Sequence, residues 1–91
     1  MKMTELAVVM NKELVLKFIV CGALNLSWRC SFEHGEVKNG GCLESAYGCG
    51  ETVQEALYDY AKQIVGRVLV FNATNDDRQE FTVPETLEAI L

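Results

Sequence analysis

The sequence predicts an α+β domain: an antiparallel sheet of about four to five strands, in the order β-β-β-α-β, with one main helix packed on one face. Three observations carry that expectation. The stretch "LNLSWRCSFE" alternates apolar and polar residues without a break. Thr52, Glu55 and Gly66 bracket a run with helical spacing. Two runs rich in β-branched residues, "ELVLKFIVC" and "RVLVFNA", flank the rest.

Taken along the chain, "TELAVVM" is compatible with a strand or with the first turns of a helix, and its valines favour a strand. "ELVLKFIVC" is apolar on nearly both faces, with Lys17 the exception, and reads as a strand. Gly22-Ala23 is short enough for a hairpin turn into the alternating strand, where Leu24, Leu26, Trp28, Cys30 and Phe32 form an apolar face. Asn25, Ser27, Arg29, Ser31 and Glu33 make the opposite face polar, the pattern of a half-buried antiparallel strand. "HGEVKNGG" reads as a polar loop and "CLESAYG" as a short third strand.

The helix is delimited at both ends. Thr52 and Glu55 have capping-box spacing, and Gly66 stands where a glycine terminates a helix. Val53, Leu57, Tyr60, Ala61 and Ile64 form the apolar face, expected to lie against Trp28 and its neighbours, with Gln54, Glu55, Tyr58, Asp59 and Lys62 opposite. "RVLVFNA" is then a buried strand, residues 72–78 a polar loop and "EFTV" an edge strand. Pro84 ends that strand and can open a short helix with Leu87, Ile90 and Leu91 on one side.

The chain has 91 residues, 49% of them hydrophobic and 23% charged, a composition that fits one folded domain over residues 1–91 and leaves no room for a second. Its net charge of −5 is concentrated in residues 74–91, an acidic C-terminal extension of the same domain, where five acids face one arginine. Direct nucleic-acid binding draws on clustered lysine and arginine, and the eight basic residues here are scattered and outnumbered. Glu5, Lys12, Glu13 and Lys17 interrupt the apolar N-terminal stretch, so neither an export signal nor a membrane span is expected and the protein is read as cytoplasmic.

Several chemistries are weakly supported by spacing. Cys21, Cys30, Cys42 and Cys49 include no C-x-x-C pair, so free thiols are expected, no metal or other cofactor is assigned, and a thiol or zinc protein using His34 is a subordinate alternative. Cys49 near the helix start, with His34 as base, is the nucleophilic pairing to nominate for an enzyme. Nothing in the sequence brings those two together, and a non-enzymatic chain is expected. In "YGCGETVQEALYDYA" the glycines suggest a phosphate cradle at a helix N-terminus. Val53 replaces the third glycine of a dinucleotide fingerprint, no Gly-Lys-Ser/Thr follows, and Glu51 adds negative charge, so the turn reads as architectural.

Residues 47–57 resemble the "G-x-G-x-T-x-x-E-A-L" turn of HicB-like antitoxin domains, and the order of elements is similar too. That resemblance implies a sheet-plus-helix fold and, as one alternative, a neutraliser of a small toxin. The acidic tail and the short segment after Asn72 depart from the DNA-binding part that often follows such domains. The run from "GETVQEALYDYAKQIVGRVLVFNA" through "VPETL" also resembles small acidic proteins of phages and prophages, anti-CRISPR proteins among them. This implies a binding protein that inhibits a host protein or ribonucleoprotein complex by contact, without direct nucleic-acid or membrane binding. Two partner-binding surfaces follow as expectations. One is the acidic set Asp76, Asp77, Glu80, Glu85 and Glu88, able to imitate a phosphate pattern. The other is Tyr58 flanked by Glu55 and Asp59 on the outer helix face. Unpaired sheet edges also allow a homodimer.

Overall fold

The computed structural model describes residues 1–21 and 25–90. The expected Gly22-Ala23 turn, the strand start at Leu24 and the contribution of Leu91 lie outside the described residues. The fold is α+β and antiparallel, with one main helix on a sheet, but the described residues form seven strands that divide between two sheets. An additional helix precedes them.

That helix, α1 (Met3–Met10), corrects the strand favoured for "TELAVVM". Met3, Leu6 and Met10 recur at helical spacing and are buried, whereas Val8 and Val9, the residues that favoured a strand, point into solvent. Glu5 accepts the Lys2 N–H at 3.0 Å, and Asn11 ends the helix in the left-handed region at φ 54°.

The first sheet holds β1 (Leu14–Cys21), β2 (Asn25–Phe32) and β5 (Gly48–Gly50) in the order β1-β2-β5. Leu14, Leu16 and Phe18 stand opposite Phe32, Cys30 and Trp28, so one face of this sheet is apolar. A tight turn at Glu33–Gly35, with the Gly35 N–H donated to the Phe32 carbonyl at 3.0 Å, carries the chain into the second sheet. There β4 (Cys42–Ser45), β3 (Glu36–Asn39), β6 (Val68–Phe71) and β7 (Gln79–Thr82) lie in the order β4-β3-β6-β7. The segment read as a loop, "HGEVKNGG", therefore contains β3 and the two-residue Gly40-Gly41 turn of a hairpin with β4. The expected edge strand is β7, paired to β6.

The main helix, α2 (Val53–Ile64), packs on β5 and β2. It buries Ala56, Leu57, Tyr60, Ala61 and Ile64; Leu57 and Ile64 each contribute about 1.5–3 kcal/mol by leaving water. Tyr60 also donates nothing to solvent: its hydroxyl accepts the Phe32 N–H at 3.1 Å, and its ring lies 5.8 Å from that of Phe32. Gly66, at φ 71°, then turns the chain into β6. The two sheets share one core, in which Cys30 and Phe32 meet Val37, Leu69, Phe71 and the α1 methionines.

After Val83, which is buried, the short helix expected beyond Pro84 is absent. Residues 85–90 instead form a turn and an extended segment beside the N-terminus, with a parallel bridge between Lys2 and Glu88 and the Met3 N–H donated to the Ile90 carbonyl at 3.0 Å. Among the described residues, no helix is long and apolar enough to cross a membrane.

Candidate interaction surfaces

The glycine turn is a packing device. A Cβ on Gly48 would collide with the Ala56 carbonyl oxygen and the Tyr60 nitrogen and would lie 2.7 Å from the Tyr60 Cβ. At Gly50 it would lie 2.6 Å from the Ala56 nitrogen. Two glycines alternating with Cys49 thus let α2 lie directly on the backbone of β5. The helix N-terminus is closed by the chain's own groups: the Glu55 N–H donates to Thr52 Oγ1 at 3.1 Å, and the Glu51 N–H donates to Glu55 Oε2 at 3.0 Å. In the expected box Glu55 would reach the Thr52 N–H; here it reaches one residue further back.

Two acids expected around Tyr58 are engaged in this junction. Besides Glu55, Asp59 accepts the Cys49 N–H at 2.9 Å and the Gln63 amide at 3.3 Å, and Lys62 stands 3.5 Å from its other oxygen. Tyr58 itself is 62% exposed, with Lys62 Nζ 5.9 Å from its ring centre. Beside it runs a groove of about 250 Å³ between Ala61, Lys62 and Val65 of the helix side and Leu87 and Ala89 of the C-terminal segment. Gln54 fixes that segment by donating to the Ala89 carbonyl at 2.6 Å. The sequence reading placed Leu87 on the apolar side of a separate short helix and did not single out Ala89.

The tail carboxylates do not form one cluster: two precede β7, Glu80 lies on it and two follow it, and the strand of four residues spans about 10 Å. Asp76 and Asp77 lie before Gln79 in an exposed loop, and Asp77 accepts the Asn72 amide at 3.1 Å. Glu80, on the strand, is held between Lys38 at 3.4 Å and Arg78 at 3.1 Å. The hydrogen bond and charge of Lys38, followed by Arg78, lower its pKa from the ordinary carboxylate value. Glu85 packs near Gly66, and the backbone of Glu88 bridges to that of Lys2, both beyond the far end of the strand.

Of the thiols, Cys30 is buried, which pushes its pKa up to about 12, while Cys42 and Cys49 are exposed, and none of the three is in a disulfide. The side chain of Cys21 lies outside the described residues. Cys49 is opposite Arg29, whereas His34 lies two residues past Phe32, the end of β2 and itself about 10 Å along the strand from Arg29, and stands 3.6 Å from Glu33. Among the described residues, no three His, Cys, Asp or Glu side chains gather as a metal site.

One further surface carried no motif. On the face of the first sheet away from α2, Val15, Lys17, Ile19, Arg29 and Ser31 line a shallow groove of about 520 Å³, and the Tyr47 ring lies 4.2 Å from the Arg29 guanidinium carbon. No protein-family model matches this chain, and neither a curated protein nor a solved structure shows significant similarity to it.

Proposed function

We propose that this chain is a small non-enzymatic binding protein of phage or mobile-element type, which inhibits a host protein by direct contact. The observation that carries the reading is Tyr58, a large aromatic side chain 62% exposed at the mouth of an apolar groove. Tyrosine in such a setting supplies much contact area at a small entropic cost and is enriched among residues that dominate binding energy. Leu87 and Ala89 extend the apolar floor, and Lys62 leaves the rim polar. The exposed Asp76 and Asp77 supply the electrostatic part of the proposal, a long-range preference for a basic partner such as a nucleic-acid-handling protein or ribonucleoprotein complex.

The test is affinity capture from a bacterial lysate at low and high salt, read by mass spectrometry, with wild type, Tyr58→Ala and the double variant Asp76→Lys, Asp77→Lys. Glu80 is left intact, since reversing it would put a lysine between Lys38 and Arg78 and disturb the sheet. A single partner retained by wild type and lost with Tyr58→Ala, in a variant that melts like wild type, supports the groove. Loss with the double reversal, together with salt sensitivity, supports the basic partner. Capture unaffected by either variant overturns the assignment of these surfaces, and the absence of any stoichiometric partner overturns the inhibitor reading.

A further inference from the structure

We propose that two copies of this chain pair through their β1 strands, antiparallel, about a two-fold axis at Phe18, to make one continuous six-stranded sheet. β1 is the outer strand of the first sheet and runs eight residues in unbroken register against β2. Lys17 is its only charged residue, and it has neither proline nor bulge. Natural edges that stay single are short, charged, bulged or covered, and a long regular apolar edge is a template for another strand.

The hydrogen-bonding groups on that edge are identified by two bonds elsewhere. The Glu33 N–H donates to the Glu13 carbonyl at 2.9 Å, so the bonded pairs between β1 and β2 fall on odd-numbered residues of β1. On the other side of β2, the Cys49 N–H turns outward to Asp59, so Trp28 and Cys30 bond to β5 and Arg29 faces β1, which agrees. Leu14, Leu16, Phe18 and Val20 therefore point their N–H and C=O groups at the open edge.

Only some registers satisfy a second copy. Opposed residues in an antiparallel pair share a face, and the bonded ones here are even-numbered. An axis at Lys17 would set Lys17 directly against its symmetry mate, a destabilising like-charge pair. An axis at Phe18 instead sets Phe18 against Phe18, Leu16 against Val20 and Lys17 against Ile19, with about six new backbone hydrogen bonds. Phe18 is 52% exposed in the single chain, its ring 5.2 Å from Trp28, so the pairing would join two aromatic pairs across the axis. The self-complementarity of this register is the reason for choosing a second copy as the occupant. The inference does not depend on the proposed inhibitor function.

Sedimentation equilibrium of the intact chain across a wide concentration range, with amide hydrogen exchange, tests it. The expected result is twice the chain mass at high concentration, with the Leu16 and Phe18 amides protected in the dimer and exchanging quickly on dilution. Phe18→Lys should raise the dissociation constant about tenfold or more by placing lysines together at the axis. Phe18→Pro should do the same while sparing the bonds to β2, because the N–H it removes points outward. A wild-type chain that stays monomeric throughout overturns the proposal, as does a dimer in which those two amides exchange freely. A dimer unchanged by Phe18→Lys also overturns it, and a monomer that captures a foreign chain through this edge assigns β1 to a different occupant.

Discussion

The two strands that flank β2 solve the same problem in opposite ways. β5 is only three residues long, yet α2 lies on it, Asp59 accepts its outward Cys49 N–H and Gln63 holds the carbonyl of Tyr47 just before it. β1 is eight residues long and, among the described residues, no strand pairs with its outer side. Length in the pairing direction is thus no guide to how well an edge is closed. What closes β5 is a helix brought within backbone contact, and that requires the absence of two β-carbons.

The most damaging way to break this contrast is to restore one of them. Gly48→Ala should cost about 3 kcal/mol or more, since the added carbon meets the backbone of α2 and no side chain can move aside for it. Urea denaturation would read the loss, and a change under 1 kcal/mol, roughly the cost of a tolerated swap, would show that the strand and helix can separate freely.

The next effect comes from Tyr60. Tyr60→Phe leaves the buried Phe32 N–H without its acceptor and should cost about 1–3 kcal/mol. The same residue gives a pH signature. Burial, partly offset by the Phe32 N–H and reinforced by Cys30, pushes the Tyr60 pKa up from 10.0 to about 12. Burial likewise moves Cys30 up from 9.0 to about 12. The folded chain then holds protons that the unfolded chain releases, so stability is full below about pH 9 and falls as pH rises towards 12. Thermal melts of Cys30→Ala, Tyr60→Phe should show a flatter alkaline limb than wild type.

Thr52→Ala removes the acceptor for the Glu55 N–H and should cost about 1 kcal/mol, measurable as a shift in the urea midpoint. The smallest effect is expected in the other sheet, remote from both edges. Glu80→Gln should leave neutral-pH stability almost unchanged, because its pairs with Lys38 and Arg78 are solvent-exposed. The lowered Glu80 pKa means that its contribution is present above the ordinary carboxylate range and is lost as pH falls through the folded-state value. Acid titration of the variant should therefore lack that slope.

The parts legible in the sequence were those where one residue type answers one local demand. The alternation of β2, the Thr52 cap and the turn at Gly66 belong to this kind, and β6 and β7 fall where their apolar runs stand. α1 was hidden because its exposed Val8 and Val9 carry the same β-branched signal as a strand, while its buried stripe rests on two flexible methionines and one leucine. β3 was hidden because Val37 is its only fully buried side chain, although Gly40-Gly41 carried the hairpin signal. The candidate surfaces were less legible. Tyr58 was visible as an exposed helix position, but its groove needs Leu87 and Ala89, which are held there by the Gln54 side-chain amide and by backbone bonds to residues 1–3. Glu55 and Asp59 looked like surface acids because sequence does not show which backbone N–H a carboxylate will reach.

The pairing of residues 1–3 with residues 86–90 bears on the timing of assembly. During synthesis residues 1–3 precede their partners and wait while the intervening strands and α2 are made. The first sheet and α2 lie within residues 14–64, so they can assemble while the second sheet still lacks β6 and β7. Met3 and Leu6 can enter the shared core early, but the backbone at their head acquires its partner only once residues 86–90 have been made. Closing such a long loop is slow compared with forming a helix or a hairpin. The closing of that clasp is therefore expected late in folding, after the β1 edge has formed and together with the groove beside Tyr58, whose floor includes Leu87 and Ala89.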